Sequence, residues 1–328
     1  MTTLTTAEYA MLYIGLGERP VPIPVGEKGP KIQDWPTRPF GPEDFDENDN
    51  IGLCLGPNTE GKFRFALDLD YDETDPARYA KSKAILLLLL GKTMLSKGRR
   101  GYTGHGISDN PIKNHEFVNL QMDVLSNGKQ TVVAPSTADS VTREWEPDLG
   151  QWSLATVQGK ALFDTLELSD ILSKYVKEDG TRNKISLGLR AFVRQRELDV
   201  NLFKKALIVA LMGTDSKNIE DHIRVFDQET GTEYSVLPKE LYDELDKRFR
   251  VVKHEVIESY GLGKGLKIQL LRTDWGNDKS SYRVRFSAWN GYDYNDIYVE
   301  RDLVPTILLL LKSINEELKL VDKPVDKS

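Results

Sequence analysis

The chain has 328 residues, of which 29% are charged and 39% hydrophobic, and its formal net charge is −7. These values indicate a globular protein of two or three domains with hydrophobic cores. No apolar run reaches about 18 residues, so no membrane span is expected, and no basic-then-apolar leader is recognised. The single cysteine, Cys54, excludes a disulfide framework and a Cys-based structural zinc site within the chain. We therefore expect a cytoplasmic protein, and its acidic balance argues mildly against nucleic-acid binding.

Helical and extended patterns alternate through the first half of the chain. Residues 7–17 and 75–90 are predicted as helices. Strands are predicted over 50–56, 63–70, 102–107, 118–124 and 130–134. We expect the first two strands to pair as a hairpin. The turn at Asn127-Gly128 predicts a second hairpin between the last two, because Asn-Gly is the strongest short hairpin signal.

The character of the chain changes after Trp152. Helical periodicity then appears over 166–176, 185–196, 201–212 and 238–252. Farther on, strands are predicted over 268–271, 282–289 and 296–299, and a helix over 304–320. This order predicts an α+β protein with a sheet-rich domain (1–160), a helical domain (161–254) and a small α+β accessory domain (255–328).

Asp68 and Asp70 form the most informative pair in the sequence. They stand one residue apart in an apolar strand-like run, so they share one face while Leu67 and Leu69 share the other. Two like charges side by side at a strand end are costly to desolvate. A bound divalent cation is the commonest reason to tolerate them, so this pair is the predicted reaction centre.

Two further features follow in chain order. A basic glycine turn, Lys97 to Gly101, runs into a strand, and Asp123 lies on a later strand. Carboxylates from neighbouring strands can hold two Mg²⁺ or Mn²⁺ ions, which suit hard oxygen ligands and support phosphoryl transfer. Backbone amides of the glycine turn, with Arg99 or Arg100, can hold a triphosphate.

The segments 66–70 and 96–103, and Asp123 followed by 132–136, occur in the order of three known motifs. On these segments, residues 7–150 resemble the catalytic domain of the bifunctional primase-polymerases (Prim-Pol), members of the archaeo-eukaryotic primase (AEP) superfamily from plasmids, phages and mobile elements. The resemblance implies an AEP-like core of antiparallel and mixed sheets with an RRM-like unit. It implies template-directed primer synthesis or DNA extension, with single-stranded or primed DNA, dNTP or NTP substrates and a separate helicase as partners.

The same resemblance implies roles for individual residues. The catalytic and metal-binding residues are Asp68, Asp70 and Asp123, and those that hold the nucleotide are Ser96, Arg99, Arg100, Thr103 and His105. The histidine of the family's second motif falls on Thr103 in the gapless match. His105 lies two residues on and on the same face of the strand, so we expect it to take the phosphate-binding role.

Residues 178–183 resemble the start of the helical, PriCT-like domain that follows many such catalytic domains and helps to grip the template. Seven basic residues lie between Arg182 and Lys205, against only two acidic ones. A phosphate backbone would be attracted to such a stripe. The predicted template-binding residues are Arg182, Lys184, Arg190 and Arg194, and the alternative is a solvated helix face.

Two rival interpretations stay open. The acidic balance and the displaced histidine are compatible with a catalytically weak or silent relative that binds DNA or a partner protein. An Asp-x-Asp strand also occurs in metal-dependent nucleases and glycosyltransferases, which would use Asp68 and Asp70 without a nucleotide triphosphate or with a sugar nucleotide.

Overall fold

The computed structural model of the protein describes residues 4–249 apart from 28, 59, 72–73, 139, 217 and 228–236, and then the backbone of four further strands. The chain divides into two compact units, Met1–Leu241 and Tyr242–Ser328. The α-helices of the described residues are α1 (Thr6–Gly15), α2 (Pro76–Leu90), α3 (Gly159–Tyr175), α4 (Arg182–Gln195), α5 (Val200–Met212), α6 (Ile219–Arg224) and α7 (Lys239–Arg248). None of them is long and apolar enough to cross a membrane.

The strands, with the helices, confirm the predicted α+β class in its general form. Those of the first unit are β1 (Pro20–Ile23), β2 (Asn50–Cys54), β3 (Gly56–Pro57), β4 (Phe63–Asp70), β5 (Leu95–Lys97), β6 (Gly101–Ser108), β7 (His115–Phe117), β8 (Met122–Leu125), β9 (Gln130–Val133), β10 (Thr137–Ala138), β11 (Val141–Thr142), β12 (Glu144–Glu146) and β13 (Ala155–Val157). The second unit contains β14 (Glu255–Gly261), β15 (Leu266–Trp275), β16 (Lys279–Ala288) and β17 (Tyr294–Val299).

The largest sheet is built around β4. Its strand order is β12-β5-β6-β4-β8-β7, with antiparallel pairing throughout this path. β13 adds to β6 in parallel, and the short β3 pairs with the start of β4. Because β4 has a neighbour on both sides along Ala66–Leu69, side chains from three parts of the sequence meet at its centre.

One face of this sheet carries the main hydrophobic core. Leu67 and Leu69 are fully buried there with residues of α2, α3 and α5, among them Leu86, Leu166 and Val209. Burying each such side chain contributes about 1.5–3 kcal/mol. α3 and α5 therefore share a core with the sheet, and the predicted domain boundary at 160 falls inside one compact unit.

Both predicted hairpins are wrong, because the chain passes between two sheets. β2 lies between β1 and β9 in a separate three-stranded sheet instead of pairing with β4. Gly56 turns the chain out of β2 at φ +117°, and only Gly56 and Pro57 pair with β4. The Asn127-Gly128 turn likewise leads from β8 in the large sheet to β9 in the small one. All five residues of β2 are buried, which favours a position with partners on both edges.

Helix predictions agree better with the structure, because each helix forms from local contacts. Asp75 caps α2 by accepting a hydrogen bond from the Arg78 N–H, and Pro76 occupies its first position. The predicted helices near 166–176, 185–196, 201–212 and 238–252 correspond to α3, α4, α5 and α7. The six-residue α6 is not predicted from the sequence.

The second unit contains a four-stranded antiparallel sheet in the order β14-β15-β16-β17. The predicted strands 268–271, 282–289 and 296–299 correspond to β15, β16 and β17, and β14 is additional. The predicted helix 304–320 lies outside the described residues.

Candidate active site

Asp68 lies at the centre of the large sheet between two polar neighbours. It is directly opposite Asp123 of β8 on one side and Thr103 of β6 on the other. The Thr103 hydroxyl donates a hydrogen bond of 2.7 Å to Asp68 Oδ1. The same row across the sheet contains, from its buried to its exposed end, Trp145, Ser96, Thr103, Asp68, Asp123 and Glu116. The structure thus brings Asp68 and Asp123 together as the sequence predicted.

Asp70 shares this face at the end of β4, where it pairs with Gly101. Its carboxylate forms a 2.6 Å salt bridge with Arg100. Partial burial raises the pKa of Asp70 to about 6, and the nearby negative charges of Asp68 and Asp123 add to the increase. Arg100 and Arg143 oppose it.

Asp123 has a similar electrostatic environment on the neighbouring strand. Partial burial and the charges of Asp68 and Glu116 raise its pKa, and Lys129 lowers it. Carboxylates such as Asp70 and Asp123, whose pKa is raised by neighbouring acids, gain from a neutralising positive charge.

The donor set therefore fits a hard divalent cation in its chemistry. Asp68, Asp70 and Asp123 offer only carboxylate oxygens, the ligands that Mg²⁺ and Mn²⁺ prefer. Among the residues that the structure describes, no three His, Cys, Asp or Glu side chains are grouped closely enough to enclose an ion. Binding would thus require these side chains to turn toward one another, and Asp70 to exchange its contact with Arg100 for the ion.

The basic turn after β5 is shaped by its glycines. The Gly98 N–H donates to the Gly101 carbonyl at 2.8 Å. A side chain at Gly101, where φ is +150°, would place its Cβ 1.9 Å from the Leu69 carbonyl oxygen, so only glycine fits beside β4. The turn exposes Arg99 and Arg100 at its tip, next to the end of β4.

Three of the residues predicted to hold the nucleotide are buried inside the protein. Ser96 and His105 are 0% exposed and Thr103 is 2% exposed. The His105 ring packs edge-on against Trp145 with a centroid distance of 4.8 Å, and Arg64 Nη2 lies 3.5 Å from His105 Nδ1. Burial, with the charges of Arg64 and Arg143, lowers the pKa of His105 well below its usual range.

The structure therefore corrects the expectation for His105. A neutral, fully buried imidazole does not reach a phosphate group at the surface of the site. The sequence placed His105 on the correct face of β6, but alternation along a strand does not show how deeply a neighbouring strand covers that face.

Arg143 also lies close to these residues, although it is not among the residues predicted from the sequence. It lies directly before β12, two residues before Trp145, and its guanidinium lies against Gly98. Its charge lowers the pKa of both Asp70 and His105. The only signal in the sequence is a basic residue in an alternating segment, which is too common to be diagnostic.

Neither models of protein families nor curated proteins match the sequence. The resemblance to the primase-polymerases therefore stays a prediction from motifs.

The fold buries two of the four predicted template-binding residues and leaves the other two exposed. Arg182 is 2% exposed, and it donates hydrogen bonds to the carbonyls of Val176 and Lys177 at 2.9 and 3.2 Å and forms a 2.5 Å salt bridge with Asp215. It therefore joins the end of α3 to the start of α4. The predicted role of Arg182 in template binding is wrong, because its guanidinium is buried and already bonded within the protein. Arg190 is also buried, at 5% exposure. Lys184 and Arg194 are exposed.

Proposed function

We propose that this protein is a metal-dependent nucleotidyltransferase that synthesises or extends a nucleic-acid strand on a template. The observation that supports this proposal is the opposition of Asp68 and Asp123 on adjacent central strands, with Asp70 on the same face. In this proposal, the carboxylates from separate strands would hold the cation and the exposed basic turn beside them would hold a polyphosphate.

In the proposed reaction, a 3′-hydroxyl oxygen attacks the α-phosphorus of a nucleoside triphosphate. The bond between the α-phosphorus and the bridging oxygen breaks, pyrophosphate leaves, and the proton of the hydroxyl passes to water. Asp68, Asp70 and Asp123 would hold Mg²⁺ or Mn²⁺, which when bound lowers the pKa of the attacking hydroxyl and neutralises the leaving pyrophosphate.

The residues of the chain hold and orient the reactants. Thr103 fixes the carboxylate of Asp68 through its 2.7 Å hydrogen bond. Arg100 is 59% exposed, so its guanidinium can move from Asp70 to a phosphate without losing a buried contact. Arg99 lies beside it on the same exposed turn.

Template contact is assigned to the exposed part of α4. Lys184 and Arg194 are the two basic residues of the predicted stripe that the fold leaves exposed. Their charges would attract the phosphate backbone of single-stranded or primed DNA. The proposal includes use of dNTPs or NTPs, a role in replication of a mobile element with a separate helicase, and a cytoplasmic location.

Incorporation of labelled nucleotides tests this proposal. The wild-type protein with Mg²⁺ or Mn²⁺ should extend a primed template or synthesise primers on single-stranded DNA. Asp68→Asn and Asp123→Asn should each reduce incorporation by about 10³-fold or more, because each removes a charge that acts on the transition state. Asp109→Asn is the matched control, since Asp109 is exposed just after β6 at the end of the sheet remote from Asp70.

Normal synthesis by a folded Asp68→Asn variant would contradict the proposal. Cleavage of DNA without added triphosphates would instead identify a nuclease that uses the same carboxylates.

The burial of His105 favours a second candidate, a protein that binds nucleotide or DNA without transferring a nucleotide. In this case, dNTP with Mn²⁺ would raise the melting temperature of the wild-type protein but not of Asp68→Asn. No primer would be extended by either protein. The two measurements together separate a binding protein from an enzyme.

A further inference from the structure

Arg143 and Asp70 lie at opposite ends of a short row that contains two glycines. Arg143 comes directly before β12 and Gly98 directly after β5, next to the paired residues Glu144 and Lys97. Asp70 lies two residues from Asp68 on β4. Gly101 is paired with Asp70, and the Gly98 N–H donates to the Gly101 carbonyl. Because neither glycine has a side chain, no side chain separates Arg143 from Asp70 along this row.

The absence of a side chain at Gly98 makes room for Arg143. A Cβ on Gly98 would lie 1.9 Å from Nη1 and 2.8 Å from Cζ of Arg143. These distances are far shorter than van der Waals contact, so the guanidinium occupies the volume that any other residue at position 98 would fill. The position of Arg143 therefore depends on Gly98.

The hydrogen-bonding capacity of Arg143 is not fully used by the protein. Its Nε is buried and has no hydrogen-bond partner among the described residues. In the same part of the chain, the Oγ of Ser96 and the Nε2 of His105 are also buried without partners. Buried polar groups are normally paired. Ser96 and His105 are fully covered, whereas Arg143 is partly exposed, so it is the unpaired Nε of Arg143 that points to a polar ligand.

The charge of the unpaired groups indicates an anion. His105 is neutral because burial and two arginines lower its pKa, and Ser96 is uncharged. Arg143 is the positive group among them, and a guanidinium binds phosphate oxygens through geometrically matched N–H donors. We propose that Arg143, placed over Gly98, binds the phosphate groups of the nucleotide substrate and takes the task that the sequence predicted for His105. This proposal depends on the proposed function only for the identity of the ligand as a nucleotide.

Binding of inorganic pyrophosphate and of dATP in the presence of Mg²⁺, measured by calorimetry, tests the assignment without any turnover. In Arg143→Gln, both dissociation constants should rise about 10- to 100-fold, the usual effect of losing a charge-assisted hydrogen bond. Arg143→Lys should recover part of the loss, because it restores the charge but not the planar donors. In the incorporation assay, KM for the nucleotide should rise more than kcat falls.

Gly98→Ala provides an independent variant that leaves Arg143 in the sequence. Its added methyl group displaces the guanidinium, so it should weaken pyrophosphate binding as Arg143→Gln does. Gly150→Ala is the matched control, because a Cβ there has nothing within 4 Å, and its dissociation constants should equal those of the wild type. If Arg143→Gln does not fold, the comparison of the two glycine variants decides the question.

Wild-type affinity for pyrophosphate in both Arg143→Gln and Gly98→Ala would overturn the proposal, as would a wild-type protein that binds neither ligand. Loss of pyrophosphate binding in these variants would support the phosphate site even if the wild-type protein incorporates no nucleotide. That combination would refute the proposed transfer reaction and retain Arg143 as an anion-binding residue.

Discussion

Asp68 of β4 and Asp123 of β8 lie directly opposite each other, and Thr103 holds Asp68 from the other side at 2.7 Å. Asp68 therefore has a fixed orientation, whereas Asp123 lies at the more exposed end of the row. Residues directly opposite on antiparallel strands have Cβ atoms about 4.5–5.5 Å apart. The charge of Asp68 consequently helps to raise the pKa of Asp123, and a cation would relieve this repulsion.

Removal of the Thr103 hydroxyl should destabilise the protein and weaken the site together. Thr103→Val keeps the shape of the side chain but leaves Asp68 without this donor. We expect the free energy of unfolding to fall by about 1.5–3 kcal/mol, the usual value of a hydrogen bond to a charged group. Urea denaturation measures the change, and Thr103→Ser should recover most of it.

Thr156→Val is the control for this substitution, because Thr156 is an exposed residue of β13. We expect a change within about 0.5 kcal/mol there. Equal losses of unfolding free energy in Thr103→Val and Thr156→Val would show that the hydrogen bond to Asp68 does not contribute to stability.

The stability of the protein should depend on pH through Asp70. Burial and nearby acids raise its pKa from 3.8 to about 6, so between about pH 4 and 6 the folded protein holds this proton more tightly than the unfolded chain. The contribution of Asp70 to the free energy of unfolding therefore falls as the pH rises through this window and is lowest above it. Asp70→Asn removes this dependence.

Chemical denaturation at pH 4 and pH 7.5 compares the two proteins. Relative to Asp70→Asn, the wild type should lose stability between the two pH values. The loss should be less than about 1 kcal/mol, because Asp70 is 38% exposed and solvent screens its interactions. A wild type that gains stability relative to the variant would show that its salt bridge with Arg100 outweighs burial.

The ion pair between Arg64 and Glu18 should be important for stability. Arg64 Nε lies 3.1 and 3.0 Å from the two carboxylate oxygens of Glu18, and the side chains are only 5% and 6% exposed. Glu18→Gln leaves a buried guanidinium without its counter-charge, which should cost about 3–5 kcal/mol. The melting temperature and urea midpoint should both decrease.

Arg38→Gln is the matched test of an exposed pair, because Arg38 and its partner Asp44 are 42% and 25% exposed. It should cost less than about 1 kcal/mol. The double variant Glu18→Leu with Arg64→Met should lose less than the sum of its single variants, because it leaves no buried charge. Additive losses would show that the two residues act independently.

Substitutions in α4 should separate a structural arginine from the proposed template contacts. Arg182→Met removes the bonds to the end of α3 and to Asp215, so it should lower the free energy of unfolding by about 3 kcal/mol or more. Lys184→Gln and Arg194→Gln should leave it nearly unchanged. Each should weaken DNA binding and reduce the slope of log affinity against log salt by about one.

Fluorescence anisotropy with labelled single-stranded DNA measures the second effect over a range of salt concentrations. If folded Arg182→Met binds DNA less tightly than Lys184→Gln does, the buried arginine contributes to the interface after all.

The sequence predicted some parts of the site and not others, for identifiable reasons. The shared face of Asp68 and Asp70 follows from alternation within a single strand, and the capped helix α2 follows from Asp75 and Pro76. The partner strands of β2 and β9 are not predictable in this way, because alternation within one strand does not specify which other strand pairs with it. Burial of His105 and Arg182 was missed because it depends on contacts with distant segments.

The sequence by itself determined which residues of β4 face the core and which carry charge, since that depends only on the two-residue period of a strand. It also determined most helices, because their caps and apolar faces are local. Only the tertiary structure decided that Asp123 lies opposite Asp68, that His105 is covered by Trp145, and that Arg143 lies over Gly98. These relationships join segments 40 or more residues apart in the chain, and their register is set by how the strands pair and pack.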